Sequence, residues 1–172
     1  MQHVFHVFFR YMLLTGLLFF GVAILYAQTP GGPFDIPISL YKMGDLSFGQ
    51  IIPATIAGSV TIHPTYGRSM SGVTVLPASF SSAALFKVTG KPNTHYVISL
   101  PVSASISTTG GAAMIIDHFI AVPDSDILGS PPYASLGAGG YDMLRIGATL
   151  HIGANQVSGE YNGTFDIVVS YE

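Results

Sequence analysis

An all-β sandwich of about seven to nine strands is the fold the sequence predicts, and three observations predict it. Short apolar runs alternate at period two, as in Val60-Thr61-Ile62 and Phe86-Lys87-Val88. Glycine and proline punctuate them, as in Gly90-Lys91-Pro92-Asn93. A helical period is not sustained over any useful length, and Ser79 to Leu85 is the single short segment that could start a helix.

Composition narrows the class. Of 172 residues 49% are apolar and 9% charged, far below the roughly 25% charged residues of ordinary soluble domains. Disorder needs low hydrophobicity and high net charge, so a chain with mean hydropathy +0.52 and net charge −3 should fold. Six lysines and arginines, scattered along the chain, are too few to track a phosphate backbone, which argues against nucleic acid as a partner. The absence of cysteine removes disulfides, thiolate metal sites and cysteine nucleophiles.

Tyr11 to Ala27 form an apolar run preceded by Arg10 and followed by the turn-prone Gln28-Thr29-Pro30-Gly31-Gly32-Pro33. That order reads as a secretory signal peptide over residues 1–27, cleaved after Ala27 or Ala23. An uncleaved anchor is the other reading, because about 17 apolar residues can just span a bilayer. The expected organisation is a signal peptide over 1–27, an N-terminal arm over 28–43 and a β-sandwich domain over 44–172.

The strands follow in order. Leu46, Phe48 and Ile51 mark the first core stretch; Val60 and Ile62 the next, stopped by His63-Pro64; then Val73 and Val75. In Leu85 to Thr89 the odd positions face outward or the sheet is covered on both sides, and after the turn at Gly90 to Asn93 the inward set is Tyr96, Ile98 and Leu100. Met114 to Val122, Leu144 to Ile152 and Tyr161 to Tyr171 supply the last strands, while Ser103 to Ala113 and Pro123 to Asp142 read as loops.

The final stretch carries most information. Tyr161, Gly163, Phe165, Ile167, Val169 and Tyr171 fall on one face at period two. Asp45 to Gly49, Phe86 to Asn93, Ile146 to Leu150, Ala154-Asn155-Gln156 and Gly159-x-Tyr161-x-Gly163-x-Phe165, in that order, resemble a bacterial family of secreted domains filed as domain of unknown function forty-four-zero-two. The resemblance implies a secreted β-domain and no biochemistry.

The C-terminus alone also resembles the subunits of chaperone–usher pili, which end in an alternating strand with a penultimate aromatic, here Tyr171, and a glycine fourteen residues from the end, here Gly159. This resemblance implies an incomplete immunoglobulin-like, pilin-like sandwich whose groove takes a strand from a periplasmic chaperone and then from the next subunit. Gly159, Tyr161, Gly163, Phe165, Ile167, Val169 and Tyr171 would line the groove. The arm offers a donor in Phe34, Ile36, Ile38 and Leu40, with Pro37 removing one ladder hydrogen bond; the other reading of these residues is the first strand of a complete sandwich, or a tether.

Catalytic, cofactor and metal sites are not expected. His63, His95, His118 and His151 show no ligand spacing. Asp117-His118 has no serine elbow to serve. Asp124-Ser125-Asp126 lacks the later ligands of a calcium loop, and Asn162-Gly163-Thr164 matches a glycosylation acceptor in form only.

The expectation is an exported bacterial structural or adhesive surface subunit rather than an enzyme. Its partners are neighbouring copies of the same or related subunits and a periplasmic chaperone, with membrane contact only through an uncleaved signal segment. The alternative is a self-contained binding module, for glycans for example, using the two loops with Tyr133 and Tyr141 as aromatic anchors.

Overall fold

The computed structural model describes residues 3–4, 36–77, 79–125 and 133–172. Among them every regular element is a strand: β1 (His3–Val4), β2 (Ser39–Gly44), β3 (Ile51–Ile52), β4 (Gly58–Ile62), β5 (Arg68–Ser71), β6 (Thr74–Val75) and β7 (Ala84–Thr89) come first. Then follow β8 (His95–Ser99), β9 (Ser103–Ser107), β10 (Ala113–Pro123), β11 (Tyr133–Ser135), β12 (Tyr141–Ile152) and β13 (Val168–Tyr171). The all-β, sandwich-like expectation is met by antiparallel sheets. The described residues hold thirteen strands, more than expected, and three of them, β1, β3 and β6, are only two residues long.

The twelve-residue β12 organises the molecule. Asp142, Leu144, Ile146, Ala148, Leu150 and Ile152 alternate into the interior, as apolar residues at period two must when one face of a strand is buried. One edge of β12 pairs with β10; along the other, Tyr141 to Ile146 pair with β7 and Ala148 to Ile152 with β4. Gly147 sits at the switch, where a Cβ would collide with the carbonyl oxygen of Ile62. The large sheet therefore runs β2-β7-β12-β10-β9, with β4 and β5 joined at the far end of β12.

A smaller sheet, β1-β13-β8-β11, supplies the second layer. Phe86, Val88, Leu144 and Ile146 of the large sheet share one core with Tyr96 and Ile98 of β8, Val169 of β13 and Leu136. A second core gathers Val60, Ile62, Met114, Ile116, Leu150 and Ile152 under Phe48 and Val75. Leu46 and Phe119 pack against both cores.

Four local expectations are corrected. Ser79 to Leu85 is not helical: Ser82 bridges to Ser47, and Ala84 already begins β7. Ser103 to Ala113 is not one loop, because Ser103–Ser107 forms the edge strand β9 on β10. Pro123 to Asp142 contains β11, paired with β8. The C-terminal run is regular strand only over Val168–Tyr171, although Phe165, Ile167 and Val169 keep the inward face that the alternation assigned.

Candidate functional site

The C-terminal segment is built against an edge. Gly163 lies so close to β9 that a Cβ would collide with the carbonyl oxygen of Ser105, and a Cβ on Gly159 would press on the Thr108 side chain. Glycine is required there because the segment crosses β9 backbone to backbone, fixed by reciprocal hydrogen bonds between Asn162 and Ser107 of 2.9 and 3.1 Å. The Tyr161 hydroxyl accepts from the Gln156 amide at 2.8 Å and donates to the Val157 carbonyl at 2.6 Å. The Phe165 ring packs on Phe119 with centroids 4.9 Å apart, and Ile167 and Val169 are buried.

Tyr171 closes the segment. Its hydroxyl accepts from the Lys91 amide at 2.6 Å and donates to the Ile36 carbonyl at 2.7 Å. Gly90 makes room for it, since a Cβ there would collide with the phenol oxygen.

Of the expected donor residues, Phe34 lies outside the described residues. Ile36 is largely exposed, Ile38 is 3% exposed in the first core, and Leu40 packs against that core. The arm residues and the groove residues therefore do meet. They meet inside one chain and from opposite sheets, because Ser39–Gly44 pairs with Ala84–Thr89 while Val168–Tyr171 pairs with His95–Ser99.

The outer edge of β13 has a different neighbour. Among the described residues the strand beside it is β1, with His3 opposite Val169 and Val4 opposite Val168. The residues that lead into β13 border a cleft of about 1360 Å³, lined by Leu46 and Phe48, by Phe86, Ile116 and Leu150 of the large sheet, and by Phe165 and Ile167. Leu46 and Phe165 are partly exposed there, while Phe48, Phe86, Ile116, Leu150 and Ile167 are buried within the chain; apolar walls of this kind accept an apolar strand.

Elsewhere the structure accounts for residues singled out in the sequence. Asp124 pairs with Arg145, and the Ser125 hydroxyl donates to Asp142, while Asp126 lies outside the described residues. Asp142, the buried acidic residue of the core, also accepts the Tyr96 hydroxyl at 2.9 Å and the Met143 amide at 2.8 Å. Burial and the neighbouring Asp142 carboxylate push the Tyr96 phenol well above its ordinary pKa. Tyr141 is exposed, with the Lys87 ammonium 5.0 Å from its ring centroid.

One grouping was not legible in the sequence. Asp117 accepts from both His118 Nδ1 at 2.6 Å and His151 Nε2 at 2.7 Å. His118, the stronger influence, holds the Asp117 carboxyl below the usual carboxylate range, with His151 adding to it. The Asp117-His118 pair was visible in the sequence, but not that both side chains would meet His151, because consecutive residues of a regular strand face opposite ways. A bulge between Asp117 and Ile120, with His118 at φ +49°, brings them to the same side.

By architecture the fold and site define a β-sandwich-like class: antiparallel sheets in two layers, a C-terminal strand flanked on its outer side by a two-residue strand, and an apolar cleft bordered by the residues that lead into it. The model of the domain of unknown function family DUF4402 matches residues 38–171, and the chain belongs to that family. Comparison with curated proteins and with solved structures finds no match.

Proposed function

We propose that the chain is a structural or adhesive subunit of the bacterial surface, exported through the inner membrane and assembled by β-strand complementation. The observation that carries this reading is the outer edge of β13, whose described neighbour, His3–Val4, belongs to the segment read as a signal peptide. Removal of that segment leaves Val168–Tyr171 with a ladder edge to fill, and the residues that lead into it border an apolar cleft. A periplasmic chaperone covers the edge first, and the N-terminal arm of a neighbouring subunit replaces it. Ile38 and Leu40 must leave their own core to be donated, each forfeiting about 1.5–3 kcal/mol of burial that is recovered in the partner.

Sizing chromatography over a range of concentrations tests this on the chain beginning at Gln28 and on the same chain beginning at Gly44. Concentration-dependent oligomers of the longer chain are expected. Instability of the shorter chain decides nothing, because Ile38 is a core residue either way. A longer chain that stays monomeric at every concentration contradicts donation. The second reading, a self-contained binding module, then leads; it is favoured by the seating of Ser39–Gly44 on β7 of its own chain.

A further inference from the structure

We propose that Asp117, His118 and His151 form a zinc site on the outer face of the large sheet. One ligand atom from each lies within 4.8 Å of the other two, and Asp117 Oδ1 bonds both His118 Nδ1 and His151 Nε2. Two imidazoles and one carboxylate are a recurrent protein ligand set for a zinc ion that keeps its fourth position open. Bond lengths of about 2.0–2.1 Å place the ligands of a tetrahedral ion roughly 3.3 Å apart. The present carboxylate-to-imidazole distances of 2.6 and 2.7 Å reach that spacing by small side-chain rotations. The cluster is open to solvent, with the His118 and His151 side chains 75% and 48% exposed, so an ion has a path to it.

The backbone supports a ligand role for His118 in particular. On β10, Met114 and Ile116 point inward before the bulge and Ala121 points inward after it. Unbroken alternation would aim residue 118 at the core. The bulge instead turns it out, beside His151 of the neighbouring strand, at the cost of a left-handed backbone. Glycine adopts that conformation freely and histidine does not. A strained residue at a bulge that aims an imidazole at a second imidazole and a carboxylate is the pattern expected when the side chain is the reason for the strain.

The test is titration calorimetry of the tag-free chain with zinc chloride in metal-free buffer, with cobalt(II) as a visible-absorption probe of coordination geometry. About one zinc per chain is expected, with an intense tetrahedral cobalt spectrum. His118→Gly relieves the left-handed strain, so it should melt no lower than the parent while binding zinc at least tenfold more weakly. His151→Gln should weaken binding similarly. His63→Gln, at a residue bonded to Ser69 and stacked on Tyr66, should bind as the parent does. Absence of binding heat, or equal affinity in His118→Gly, would show a His–Asp–His ion-paired cluster only and overturn the proposal.

Discussion

At the scale of single residues, two positions show how a side chain's presence or absence sets the chain path. Tyr171 ties three segments together, because its hydroxyl bonds both Lys91 and Ile36 while its ring packs on the first core. Tyr171→Phe keeps the ring and loses both bonds, so it should cost about 1 kcal/mol in denaturant unfolding and speed amide exchange near Ile38. Gly147 acts by what it lacks. Any Cβ collides with the Ile62 carbonyl oxygen, a backbone atom that cannot rotate away. Gly147→Ala should therefore destabilise by about 1–3 kcal/mol, seen as a lowered midpoint with an unchanged denaturant slope. An unaltered midpoint would mean that β4 does not approach β12 as described.

At the scale of elements, legibility in the sequence followed periodicity. Phe86 and Val88, Tyr96 and Ile98, and the even positions of Leu144 to Ile152 alternate without interruption, and each set is buried as expected. Ser103–Ser107 was read as a loop because serine and alanine carry no apolar signal. It is nevertheless a strand, since an edge position needs only ladder partners from β10. The arm over 28–43 was read as a donor or as the chain's own first strand, and its end pairs with β7, Leu40 opposite Val88; alternation identifies a strand but not the edge it will occupy. The bulge in β10 left no mark in the sequence either. Histidine stands where glycine would signal a left-handed residue, which hid the grouping of Asp117, His118 and His151.

At the scale of the whole molecule, the two apolar sets that the sequence marked as complementary, Ile38 with Leu40 and Ile167 with Val169, lie in one core. They reach it from opposite layers: the large sheet is finished by the chain's own β2, while in the small sheet the two-residue β1 lies outside β13. The low charge content suits a subunit whose surface is covered by neighbours better than a free monomer, which relies on charge for solubility. The central claim is that the outer edge of β13 receives a strand from another copy. A photo-crosslinking residue placed at Val168, in the chain beginning at Gln28, tests it most directly, with mass spectrometry identifying the captured peptide. The account predicts a link between chains to the segment 28–40. A link within the same chain only, or no link between chains at concentrations where the protein is fully folded, would contradict it.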